Sequence, residues 1–156
     1  MLELIKKKQA YICFYPDERI KNIKDSPSAK QLAIEYDKKF KNIDYKASIE
    51  RMKTENCVVR LAMPESGDLF IKDLIKGRLK FDYNLIEDPI IIKSDGFPTY
   101  HFANVVDDHN MEISHVIRGE EWLPSTPIHV LLYKYLGWEE AMPQFSHLPL
   151  LLRPDG

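Results

Sequence analysis

The sequence predicts an α/β fold, and three features of it carry that prediction. The last 60 residues read helix, strand, helix, strand, the alternation that builds a layered sheet. Thr126-Pro127 followed by Ile128, Leu131, Leu132, Tyr135 and Leu136, and then by Gly137, is a helix with both ends marked. From Cys57 to Lys93 the texture is instead β-rich, with short apolar runs separated by turns.

Taken in order, Leu2–Lys8 reads as the tail of a helix and Tyr11–Tyr15 as a short strand. Pro16 with Asp17 and Glu18 suits a first helical turn, because proline is tolerated there and acids suit the N-terminal end of the dipole. Ser26-Pro27-Ser28 opens a clearer helix, with Ala29, Leu32, Ala33, Tyr36 and Phe40 at helical spacing and lysines opposite. A further helix is expected around Tyr45–Glu55. Cys57–Met63 then reads as strand, 64–67 as turn, and Leu69–Ile71, Leu79–Phe81 and Ile90–Lys93 as further strands. Ser94-Asp95-Gly96 is a second turn. Phe102, Val105 and Val106 predict a helix ending near His109, and His115–Ile117 a buried strand. Thr126 is expected to cap the next helix and Gly137 to stop it. Leu148–Leu152 suits a buried parallel strand. Arg153-Pro154-Asp155-Gly156 is turn chemistry just after that strand, and Met1 stands before a half-helix, so the chain reads as an internal piece of a longer protein.

Composition narrows the function classes. Hydrophobic residues at 44% and charged residues at 29% are globular proportions and argue against disorder. The net charge of -2 conceals an asymmetry: 13 Lys/Arg face 9 Asp/Glu through Asn56, and 9 face 15 beyond it. A basic first third suits a polyanionic partner, and equally the solvated faces of helices. Cys13 and Cys57 have no paired spacing, which gives neither a disulfide framework nor a zinc ribbon and points to a reducing cytoplasm. No signal-like segment or membrane-spanning apolar run occurs, so no membrane partner is expected.

Tyr100 to Trp122 is the densest polar and aromatic stretch. Asp107-Asp108-His109 point different ways on a helix, and no HExxH-like pair occurs, so no protein-built metal site is expected. Tyr100 and Asn104, four apart, share a helix face. Arg118 ends a strand, and open α/β sheets bind ligands outside the carboxyl ends of their strands. The plain alternative for Arg118 is a structural salt bridge with Glu120 or Glu121.

The run from Ser94 to His109 (Ser-Asp-Gly-Phe-Pro-Thr-Tyr-His-Phe-Ala-Asn-Val-Val-Asp-Asp-His) closely resembles a signature of the bacterial-type glutamyl-tRNA synthetase family, class I aminoacyl-tRNA synthetases. So do Val116-Ile117-Arg118-Gly119-Glu120-Glu121-Trp122-Leu123, Ser125-Thr126-Pro127 and His147-Leu148-Pro149-Leu150-Leu151. Cys57–Arg60 and Asp73–Arg78 look like that family's insertion between the halves of its nucleotide-binding fold. The resemblance is continuous from about Cys57 to Gly156 and weaker before it.

What the resemblance implies is specific. Residues 1–98 would be an acceptor-stem-binding α+β insertion. Residues 99–156 would be part of the second half of a Rossmann-type nucleotide-binding domain, truncated. Tyr100, Asn104 and Arg118 match residues that hold glutamate; Glu121, Trp122, Leu150 and Leu151 match the ATP site; Lys76 and Asp108 match positions near the tRNA acceptor end. The partners implied are ATP with Mg2+, L-glutamate and glutamate tRNA, for a monomeric, cytoplasmic glutamate–tRNA ligase. The family's HIGH and KMSKS-type motifs do not occur in these 156 residues, nor does the anticodon-binding half. Ser114–Gly119 resembles the first motif only superficially. Some relatives carry a CxC zinc site near this first strand, but Phe14 and Tyr15 follow Cys13 here, so no zinc is expected. Two alternatives stand beside the ligase: a non-catalytic acceptor-stem-binding module, and a short paralogue that modifies a tRNA base. The long insertion before Ser94 opposes the second.

Overall fold

The structure is a computed structural model, and it describes residues 1–14 and 39–150. The helices expected after Pro16 and Ser26 therefore lie outside the described residues, as does Leu151. The chain forms two compact units, one of 1–63 with 87–100 and the other of 64–86 with 101–156.

In the first unit, helix α1 (Leu2–Lys6) leads into strand β1 (Ala10–Phe14), all five residues of which are buried. Helix α2 (Tyr45–Met52) starts at Asp44, whose carboxylate accepts from the amides of Lys46 and Ala47, the side-chain cap expected of an N-terminal aspartate. Strand β2 (Cys57–Leu61) lies between β1 and strand β5 (Ile90–Ile92), antiparallel to both. Asp88 ties this sheet together. Its carboxylate accepts from the Tyr11 hydroxyl at 2.9 Å and the Met63 amide at 2.8 Å, and it pairs with Lys41 at 2.7 Å. Burial, with Asp88 beside it, drives the Tyr11 hydroxyl pKa upward, so Tyr11 stays a donor.

The second unit holds a four-stranded sheet in the order β4-β3-β7-β6. Strands β3 (Asp68–Asp73) and β4 (Gly77–Asp82) form an antiparallel hairpin. Helix α3 (Tyr100–Asn110) leads to β6 (His115–Gly119), and helix α4 (Thr126–Leu136) to β7 (Gln144–Leu148), which runs parallel to β6. β3 meets β7 in parallel through Asp73 and Phe145. The two-residue period of β3 sets its inner face: Leu69, Ile71 and Asp73 are buried, while Asp68, Phe70 and Lys72 are exposed. Leu69 and Ile71 pack with Val130 and Phe145 into the core of this unit. Gly137 ends α4 at φ 77°, a conformation that favours glycine, as its place in the sequence predicts.

Three expectations need correction. β6 is an edge strand rather than a buried one, with Ile117 66% exposed. The strand expected at Leu148–Leu152 is β7, four residues earlier, and Leu148 and Leu150 are exposed. Thr126 does not cap α4. Ser125 holds that position, and the Thr126 hydroxyl is turned to Arg118 instead.

Candidate active site

The chemistry collects at the carboxyl ends of the parallel strands β6 and β7. Arg118 on β6 stands in register with His147 on β7. Its Nε donates to His147 Nε2 at 3.0 Å, and one terminal nitrogen donates to the Thr126 hydroxyl at 2.9 Å. The other lies 3.5 Å from His129 Nδ1, and the guanidinium sits over the Phe145 ring at 5.7 Å. Thr126, His129 and His147 are all buried.

An arginine has only donors and keeps its proton, which fixes its neighbours. His147 Nε2 must accept, so its proton sits on Nδ1, where it is donated to Asp73 Oδ2 at 2.6 Å. His129 Nδ1 likewise faces the guanidinium as an acceptor, so His129 Nε2 carries the proton and donates to His101 Nδ1 at 3.0 Å. Each histidine is thereby fixed in one tautomer, with its acceptor nitrogen toward the guanidinium. Burial lowers the His129 pKa to about 3, with the positive charge of Arg118 as the next cause, and His101 is lowered for the same two reasons.

Asp73 completes the group from beneath. Oδ1 accepts from the amides of Ile75 and Lys76, each at 2.9 Å, and from the amide of His147 at 3.3 Å. Burial alone would raise its pKa; the hydrogen bonds from the Lys76 amide, the His147 side chain and the Ile75 amide outweigh it and hold the carboxyl at about 2.

The residues singled out from the sequence are distributed unevenly around this cluster. Arg118 is at its centre. Glu120 does not stand beside Arg118 as a salt-bridge partner but is paired with Lys76, and its other oxygen accepts from the Leu150 amide at 3.3 Å. Lys76 is the last residue of the turn that Asp73 holds. Glu121, Trp122 and Leu150 are exposed. Asn104 and Asp108 are half-buried on α3. Burial raises the Asp108 pKa, Asp107 adds to it, and Arg118 opposes it. Tyr100, the first residue of α3, is 54% exposed and belongs to the first unit. Among the described residues, no three His, Cys, Asp or Glu side chains converge as metal ligands. A cleft of about 700 Å³ opens at the other, amino end of β6 and β7, against Ser114, His115 and Gln144, away from Arg118.

Asp73, Thr126, His129, His101 and His147 were not singled out as site residues. The alternation Leu69, Ile71, Asp73 already placed a carboxylate on the inner face of β3, and that was the one legible signal.

Comparison with known proteins identifies the family. The family model of class I tRNA synthetases (E and Q), catalytic domain, matches residues 1–156, and the chain belongs to that family. It is 61% identical over 99 residues to a glutamate–tRNA ligase of Cytophaga hutchinsonii, covering 64% of this chain and 19% of that one. A glutamate–tRNA ligase of Chlorobium phaeobacteroides is 44% identical over 160 residues, covering 98% of this chain and 32% of the relative. Among solved structures, a glutamate tRNA ligase from Elizabethkingia meningosepticum in complex with its amino acid superposes with a TM-score of 0.81 at 35% identity, covering 99% of this chain and 32% of the other. The chain thus spans about a third or less of the length of these relatives.

Proposed function

We propose that this chain supplies the glutamate-reading part of a glutamate–tRNA ligase, which activates glutamate with ATP and passes it to the 3′ end of glutamate tRNA. The observation that carries the reading is Arg118, placed at the carboxyl end of a parallel strand and oriented by His147, His129 and Thr126. A planar guanidinium suits a carboxylate, which can accept two parallel bonds. Glutamine would turn an amide donor toward those donors, leaving a buried group unpaired at a cost of about 1–3 kcal/mol. Tyr100 and Asn104 join Arg118 in holding the amino acid. Glu121, Trp122, Leu150 and Leu151 face ATP, and Lys76 and Asp108 the acceptor end. Functionally, 1–98 is the acceptor-stem-binding insertion and 99–156 part of the Rossmann-type catalytic domain. The protein works as a cytoplasmic monomer and without zinc.

In this reaction the carboxylate of glutamate attacks the α-phosphate of ATP and displaces pyrophosphate, and a terminal ribose hydroxyl of tRNA then takes the glutamyl group and releases AMP. This chain's contribution is positioning and charge rather than general-base chemistry. Magnesium would neutralise phosphate charge when bound, but no residue described here is assigned to it. Because the HIGH and KMSKS-type motifs do not occur within these residues, the purified chain is expected to bind glutamate without making adenylate. Glutamate-dependent ATP–pyrophosphate exchange above the level of an Arg118→Ala control would overturn that expectation.

A second reading, the acceptor-stem-binding module, is favoured by the outer face of the β3–β4 hairpin. Phe70 is 51% exposed there with the Arg78 guanidinium 4.4 Å from its ring centre, and Lys72 and Lys80 stand beside it on the same face. Cations around an exposed aromatic suit RNA backbone and an unpaired base. Lys76 tests this grip. Lys76→Ala should weaken binding of an acceptor-stem hairpin and lower the salt slope by roughly 0.7–0.9, the share of one phosphate contact. Since the Glu120 carboxylate competes for the same ammonium, Glu120→Gln should strengthen binding. Unchanged affinity and slope in both variants would make Lys76 a solvated lysine.

A further inference from the structure

Resting on the glutamate reading of Arg118, we propose that Asp73 and His147 are positioning residues that aim its guanidinium, so that the preference for glutamate over glutamine depends on the negative charge of Asp73. Neither residue needs to touch the amino acid. Arg118 is a long side chain on an edge strand, and its guanidinium is met by groups from neighbouring elements. His147, fully buried on the neighbouring strand, fixes the Nε end of the guanidinium at 3.0 Å. It can do so only while Nε2 is bare. Asp73 ensures this by taking the Nδ1 proton at 2.6 Å, since the hydrogen bond at one imidazole nitrogen decides what the other presents.

The carboxylate cannot be replaced by its amide. Oδ1 accepts from three backbone amides and Oδ2 from the imidazole, so both oxygens are committed to donors. An asparagine has one oxygen. If that oxygen stays with the amides, its NH2 meets His147 Nδ1 and drives the proton to Nε2, where it opposes the Arg118 Nε–H. If the oxygen turns to His147, the NH2 points at three N–H groups. The first outcome costs one buried hydrogen bond and the second costs three, so the histidine flips. A purely structural buried ion pair would not make this demand on the tautomer.

The chain itself carries the test. Two-bond proton–nitrogen correlation spectra report the His147 tautomer, the Arg118 Nε–H resonance reports its hydrogen bond, and titration with L-glutamate and L-glutamine reports the preference. The unaltered chain should show His147 protonated at Nδ1. In Asp73→Asn the proton should move to Nε2, the Arg118 resonance should shift, and the glutamate preference should fall by about ten-fold while the chain remains folded. His147→Gln, which can accept from Arg118 and donate to Asp73, should retain much of the preference, and His147→Leu should not; this pair decides the matter if Asp73→Asn does not fold. An Nε2–H tautomer in the unaltered chain, or a preference that survives both Asp73→Asn and His147→Leu, overturns the proposal. Failure of the glutamate reading looks different: the unaltered chain then responds equally to both amino acids, although the ligand-free tautomer and Nε signals behave as described.

Discussion

Replacing Arg118 with alanine should erase the distinction between glutamate and glutamine. Glutamate loses a charge-assisted partner for its side-chain carboxylate, and the expected drop in affinity is at least about 100-fold, or about 3 kcal/mol. Glutamine loses much less, because its amide gains little from a fork made only of donors. The ratio of the two affinities should therefore approach unity. Arg118→Lys should fall between, since it keeps the charge but not the planar pair of donors. Thermal stability alone does not decide between recognition and scaffolding here. Arg118 also donates to His147 and Thr126, both buried, so alanine at 118 leaves buried acceptors unsatisfied and lowers stability in either case. The affinity ratio, followed by nuclear magnetic resonance titration among molecules that remain folded, is the discriminating measurement. A ratio that survives Arg118→Ala would leave Arg118 as scaffolding and move glutamate selection elsewhere.

How much of this was legible in the sequence follows from which interactions are local. α4 could be read because its ends are written in neighbouring residues, Pro127 and Gly137; β3 and β4 could be located as separate short strands from their local apolar runs, while their pairing into a hairpin is seen only in the structure. β7 was read four residues late because apolar content was followed. The true strand buries Ser146 and His147, and the polar groups of His147 are met by Asp73 and Arg118. Those partners lie 74 and 29 residues away, beyond the reach of any local pattern. Thr126 was misread for the same reason. Its neighbour Pro127 suggested a cap, while a distant arginine claimed the hydroxyl.

The candidate site shows the same division. Arg118 was found because a strand end and a family motif coincide there, but the groups that hold it come from β3, α4 and β7. The grouping of the hairpin 68–82 with 101–156 likewise rests on a long-range parallel contact, in which the Leu74 amide donates to the Phe145 carbonyl at 2.9 Å. Parallel strands joined across such a distance leave no signature in the residues between them.

Stability of the second unit should decline as pH falls from about 6.5 toward 3, and His129 should be the main cause. In the unfolded chain this histidine titrates near 6.5; in the fold, burial and then Arg118 hold it at about 3. Between those values the unfolded chain binds a proton that the native state refuses, so acid favours unfolding. The contribution is fully present above the unfolded value and is lost as pH falls through the window, at up to about 1.4 kcal/mol per pH unit for one proton. From pH 6 to pH 4 the expected loss is about 2–3 kcal/mol, with His101, lowered for the same reasons, adding to it. Asp73 acts in a different window. Its carboxyl is held at about 2 against an ordinary 3.8, so its share persists above 3.8 and disappears only between there and 2. His129→Asn separates the two. The asparagine oxygen can still accept from Arg118, but it does not titrate, so the variant should be less stable at pH 7 and should lose the larger part of the slope between pH 6 and 4, keeping only the share of His101. Urea unfolding at half-unit pH steps reads this directly. If the variant keeps the slope of the unaltered chain, the proton that destabilises the fold is bound somewhere other than His129, and the neutral, fixed tautomer assigned to it beside Arg118 is wrong.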